Sequence, residues 1–169
     1  ENFFLLMAQP PEKVQDVELP PREYIFTMDV SGSMGGFPME ISKTLLKDLI
    51  QHLGPNDRFN LMQFSFGAKV LSQSGSVPVN DKNVKQAMKL LRLAHGSGGT
   101  EILPALRQAL DLPRTEGMSC SIVVITDGFV TVEPEVFDLI RERLGDANLF
   151  AFGIGSSVNR HLIEGMAHV

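Results

Sequence analysis

Tyr24-Ile25-Phe26-Thr27-Met28-Asp29-Val30-Ser31-Gly32-Ser33-Met34 decides how this chain is read. An apolar run stops abruptly at an acid, then two hydroxyls and a glycine. That pattern predicts a buried strand whose C-terminal end opens into a polar loop. In open α/β sheets this is the edge where ligands bind. Asp29, Ser31 and Ser33 offer oxygen donors alone, a set suited to a hard divalent cation and to Mg2+ above all.

The pattern outside this stretch alternates strands and helices. Ile41, Leu45, Leu46, Leu49, Ile50 and Leu53 recur at helical spacing over 38–53, with Pro38 in the first turn. Strands are expected over 58–65 and 68–71, the second folding back through Gly67. Asn80 or Asp81 can cap a helix running to Leu93. A glycine-rich loop, His95-Gly96-Ser97-Gly98-Gly99-Thr100, precedes a helix over 102–111. Cys120–Thr126 is apolar on both faces through Ile122-Val123-Val124-Ile125, which marks a central parallel strand. It ends in Asp127-Gly128. A helix over 134–144 stopped by Gly145, a strand over 149–154 and a helix over 158–167 complete the series. Such alternation implies a mostly parallel sheet covered by helices on both faces.

The bulk numbers bound the function. The chain has 169 residues, 43% hydrophobic and 21% charged, enough for one domain with a real core. Its net charge of −5 comes without any basic stripe, which argues against a nucleic-acid partner. No segment reaches the length of a membrane span. The single cysteine, Cys120, allows no intrachain disulfide and is expected to be buried. Residues 1–8 are apolar and 9–22 carry four prolines among charges, which reads as an extended linker. The abrupt ends give the chain the look of a piece of a longer protein.

Three polar clusters fall where three loops of such a sheet meet: Asp29, Ser31 and Ser33; Thr100; and Asp127. Two carboxylates offset most of a 2+ charge, and the hydroxyls add ligands at low charge. Taken together, Asp29-Val-Ser31-Gly-Ser33, Gly98-Gly99-Thr100-Glu101 and Thr126-Asp127-Gly128 resemble the metal-ion-dependent adhesion site of the von Willebrand factor type A domain, over residues 23–169. Arg22–Phe26 and the run from Phe150 to Gly155 are most similar to the branch that follows a vault protein inter-alpha-trypsin (VIT) domain.

The resemblance implies a three-layer Rossmann-like fold, with residues 68–71 as a short antiparallel edge strand. Residues 1–22 would be the tail of a preceding domain and its linker. It implies Mg2+, with Mn2+ or Ca2+ as substitutes, bound directly by Ser31 and Ser33. Asp29, Thr100 and Asp127 would bind directly or through water. A carboxylate from a partner protein would complete the shell, making this an adhesion or assembly module and not an enzyme. A final strand and helix expected of the family are absent here, and the edge so exposed invites dimerisation. A bacterial cell-surface or periplasmic parent is the favoured setting.

Met34, Phe37 and Met39, beside the metal loop, and His95, beside Thr100, are candidates for a rim that contacts the protein ligand. The competing enzymatic reading is a Mg2+-dependent phosphohydrolase with Asp29 as nucleophile. It is disfavoured because Ser31 stands where a second acid is wanted and no lysine follows at a third strand end. A purely structural domain with a vestigial site is the remaining alternative.

Overall fold

The computed structural model describes residues 20–128, 130 and 132–169. The strand predicted at the opening stretch is β1, Arg22–Asp29, and it lies at the middle of the sheet. β2 (Arg58–Phe64) pairs with it in parallel on one side and β5 (Ser119–Thr126) on the other. β6 (Asn148–Gly153) adds in parallel to β5. β3 (Ala68–Val70) and β4 (Val77–Pro78) both pair antiparallel with β2, giving the order β3-β2-β1-β5-β6 with β4 off that path. The short antiparallel strand expected over 68–71 is therefore present. The two-residue β4 is an addition that sequence reading did not foresee.

Five helices cover the sheet among the described residues: α1 (Phe37–Gln51), α2 (Asp81–Leu93), α3 (Ile102–Leu110), α4 (Glu133–Arg143) and α5 (Arg160–His168). Their faces sort with the pleat of β1. Phe26 and Met28 point into a core shared with Leu46 and Ile50 of α1 and Leu91 of α2. Ile25 points the other way, into a core with Leu106 of α3, Ile140 of α4 and Leu162 of α5. The alternation of β1 thus feeds two apolar layers, as expected for a strand buried on both faces. The three-layer α/β architecture predicted from the sequence is what the chain adopts.

Local signals act where expected. Asn80 caps α2, its side chain accepting from the Asn83 N–H at 2.9 Å. Gly145 takes φ +58 just past α4, the left-handed conformation that ends a helix. Cys120 is buried, and burial with the nearby Glu23 charge pushes its thiol up to about 11. The tail and linker expected over 1–22 lie outside the described residues up to position 19, and Arg22 already belongs to β1.

At the end of the sheet away from Asp29, Glu23 is a fully buried acid. Its two oxygens accept from the Thr115 N–H at 2.9 Å and the Thr115 hydroxyl at 3.1 Å. That pair ties β1 to the loop entering β5. Glu23→Ala strands both donors and is expected to cost about 1–3 kcal/mol in urea unfolding, with the loops at the Asp29 end of the sheet unaffected.

Candidate metal site

Parallel pairing brings the C-terminal ends of β1 and β5 side by side. Asp29 closes β1 and Thr126 closes β5. The Thr126 hydroxyl donates to Asp29 Oδ2 at 2.6 Å, and the Ser31 N–H donates to Asp29 Oδ1 at 2.8 Å. Thr126 Oγ1 in turn accepts from the Gly128 N–H at 2.9 Å. Asp29 is fully buried, yet each carboxylate oxygen has a donor, as a buried acid requires.

Beyond Asp29 the chain makes a single 3-10 turn, Gly32–Met34. The turn sets Ser31 Oγ 3.1 Å from Ser33 Oγ, so the two hydroxyls of the motif converge. Ser31 is buried and Ser33 is exposed, so this pair spans the boundary between protein and solvent. The loop carrying Thr100 is stitched to the same turn. Gly32 N–H donates to Gly98 O at 2.9 Å, and Ser97 N–H donates to Val30 O at 2.9 Å. Gly96 lies so close that a Cβ there would meet Gly35 N at 2.8 Å, a clash with backbone that cannot yield.

Asp127 is reached from the third side. Its carbonyl accepts from the Asn159 N–H at 3.0 Å. Asn159 also caps α5 through the Leu162 N–H at 3.1 Å and donates to Glu133 at 2.9 Å, joining the Asp127 loop to α4 and α5. A cavity of about 300 Å³ is lined by Ser33, Asp127 and the Gly155-Ser156-Ser157 loop, with Pro38 at one wall. A neighbouring cavity of about 720 Å³ is lined by Thr100, Ile102, Pro104, Val130 and Val132, and Ser157 borders both.

Asp29 at the end of β1, Ser31 and Ser33 in the turn after it and Asp127 just after β5 stand at one edge of the sheet, while Thr100 lies on the adjoining loop and lines the neighbouring cavity. Ser156 and Ser157 join them without having been singled out. The signal for them was present: a glycine-rich segment at the C-terminal end of a parallel strand. Thr126 carries no local signal of its role, because its partner, Asp29, lies 97 residues away.

The rim residues divide. Phe37 is 73% exposed and His95 is exposed, with its Nδ1 3.1 Å from Leu93 O. Met34 and Met39 are buried in the core beneath α1, which corrects the expectation that they face a ligand. The 3-10 turn rotates Met34 inward, and the apolar layer takes both side chains.

The donor set fits a hard divalent cation. Its side chains supply oxygen only, and burial first, then the Asp127 charge, raises the Asp29 pKa against the lowering pull of Thr126 and Ser31. A cation placed near two such acids relieves both penalties.

Residues 22–169 match the von Willebrand factor type A domain. This chain belongs to that family. It is 30% identical over 146 residues to a von Willebrand factor A domain-containing protein of Dictyostelium discoideum, covering 86% of the chain and 16% of the relative. It is 31% identical over 147 residues to human von Willebrand factor A domain-containing protein 5B1, covering 87% of the chain and 12% of the relative. The chain therefore spans a small part of these relatives. Among solved structures, manganese-loaded Plasmodium vivax TRAP protein superposes with a TM-score of 0.66 at 20% identity, covering 88% of this chain and 63% of that one. An aerotolerance-related membrane protein from Bacteroides fragilis, solved with multiple mutations to serines, gives 0.70 at 19% identity, with 87% of each chain covered. Likeness at this level shows the shared fold.

The raised Asp29 pKa has a consequence for stability. Between the ordinary value of 3.8 and the raised one, the folded chain keeps a proton at Asp29 that the unfolded chain releases. Metal-free stability is therefore lost from this group as pH rises through that window, and the loss is complete above it. Asp29→Asn removes this contribution. Urea midpoints of the two proteins across the acidic range are expected to diverge, with the variant gaining relative to wild type as pH rises.

Proposed function

We propose that this domain is a metal-dependent protein-binding module of the adhesion or assembly kind. Ser31 and Ser33 would hold a divalent cation directly. Asp29, Thr100 and Asp127 would do so directly or through water. Mg2+ is the first choice on the all-oxygen donor set, with Mn2+ or Ca2+ as substitutes. The observation that carries the reading is the convergence of Ser31 and Ser33, one buried and one exposed, beside two carboxylates. Such a site faces solvent on the Ser33 side, where an acidic side chain of a partner protein would complete the shell. The exposure of Phe37 supports a role for it in contacting that partner.

The placement of Asp29 supports this reading over a phosphohydrolase. A nucleophile must reach the phosphorus atom, whereas Asp29 is fully buried with both oxygens already accepting hydrogen bonds. Its position suits a group that holds neighbouring donors in place.

The reading extends to the parent protein. Residues 1–22 would close a VIT domain and link it to a type A domain over 23–169. Among compartments we favour a bacterial cell surface or periplasm, since one solved neighbour is described as a bacterial membrane protein. A signal peptide in the full-length sequence tests this. β6 lies at the end of the sheet order with Phe150 51% and Phe152 40% exposed, so a second copy could pair along it. Sedimentation of the isolated chain reads that directly.

Calorimetric titration with Mg2+ and Mn2+ tests the metal site. One cation per chain is expected, and Asp127→Ala should weaken it at least about 100-fold while thermal unfolding stays cooperative. Undiminished affinity in that variant overturns the assignment.

A further inference from the structure

Phe66 belongs to none of the motifs, yet it lies against one of them. It follows β2 in the tight turn closed by Ser65 N–H donating to Gly67 O at 3.0 Å. The residue is 75% exposed, more than any other large apolar residue described. The remaining face of the ring rests on Gly98 and Gly99. A Cβ at Gly98 would sit 2.7 Å from Phe66 Cδ2, and one at Gly99 would sit 2.7 Å from Cε1. The ring therefore fills the space that side chains at both positions would need.

The two glycines answer to different constraints. Gly98 has φ +80, which favours glycine whatever surrounds it. Gly99 has no such backbone demand, so its missing side chain is explained by the ring alone. The loop is fastened at both ends by backbone bonds: Gly98 O accepts from Gly32 N–H, and Glu101 N–H donates to Ser65 O, each at 2.9 Å. Among the described hydrogen bonds, none falls on Gly99 or Thr100. At this step of the loop the contact described is the Phe66 ring against Gly98 and Gly99.

We propose that Phe66 is a positioning residue for the metal site: its ring clamps Gly98-Gly99 and thereby fixes Thr100. The proposal rests on the metal-site reading for its functional consequence, while the clamp itself is a property of the metal-free chain. An exposed aromatic ring gains little from staying on the surface. Contact with two glycines recovers part of its burial and restricts a segment that would otherwise sample many backbone states.

Two measurements on the whole chain test it. The first is backbone amide order in the metal-free protein by nitrogen relaxation. Gly98, Gly99 and Thr100 should be as ordered as the flanking helices in wild type, and should fall to flexible values, below about 0.6 in order parameter, in Phe66→Ala. Phe66→Tyr should keep the wild-type values. Gly99→Ala should push the ring aside and reproduce Phe66→Ala, and the double variant should be no worse than either single one. The second is Mn2+ affinity by calorimetry, expected to weaken about tenfold in Phe66→Ala and to be retained in Phe66→Tyr. Unchanged loop order in Phe66→Ala overturns the clamp. Loosened order with unchanged Mn2+ affinity overturns its role at the site. If wild type binds no Mn2+, the metal-site reading and this role fail together, while the relaxation data still decide the clamp.

Discussion

The Asp29 carboxylate is the constraint on which the loop edge of the sheet depends. It sits at the end of the central strand, out of water, where an unpartnered acid would cost several kcal/mol. The chain meets that cost by turning sharply, so that the Ser31 N–H reaches one oxygen, and by placing the Thr126 hydroxyl on the other. The first contact fixes the shape of the loop. The second locks the ends of β1 and β5 in register. The Ser31–Ser33 convergence follows from the first, and the approach of Asp127 follows from the second.

The two sides of the molecule divide the labour. Burial of Phe26, Met28, Ile25 and their neighbours on both faces of β1 supplies the favourable free energy of the fold. The edge above them opposes it, because Asp29 is desolvated and feels the charge of Asp127. The sheet tolerates this because Asp29 ends a central strand paired on both sides, and the loop that carries Asp127 leaves the adjoining strand β5. Functional groups mounted on loops above a fixed scaffold are the general solution in such folds.

Much of this was legible in the sequence. Strands buried on both faces announce themselves as unbroken apolar runs, which is why β1 and β5 were located closely. Asp29-Val-Ser31-Gly-Ser33 and Thr126-Asp127-Gly128 were legible because each places oxygen donors at a strand end, and Gly98-Gly99-Thr100 because its glycines mark the loop between α2 and α3. What escaped reading depended on contacts distant in sequence or on single turns. β4 is two residues long and carries no periodic signal. The inward rotation of Met34 follows from one 3-10 turn, which the flanking glycines concealed as generic loop. The partnership of Thr126 with Asp29 spans 97 residues, and that of Phe66 with Gly98-Gly99 spans more than thirty. Neither leaves a local pattern.

The glycine loop shows how these distant contacts build a site. Composition alone makes Gly96-Ser97-Gly98-Gly99 costly to order, because glycine loses the most entropy on ordering. The loop is nevertheless tied to the turn after β1, through Ser97 to Val30 and Gly98 to Gly32. The structure removes that freedom from outside. Gly96 is wedged against the backbone of Gly35 and Ser31, Gly98 is bonded to Gly32, and Gly98 and Gly99 lie under the Phe66 ring. In this setting glycine serves close approach, since any Cβ at 96 or 99 would have to displace what confines it. The same residues that look permissive in sequence are closely confined in space, by neighbours the loop does not share a strand or helix with.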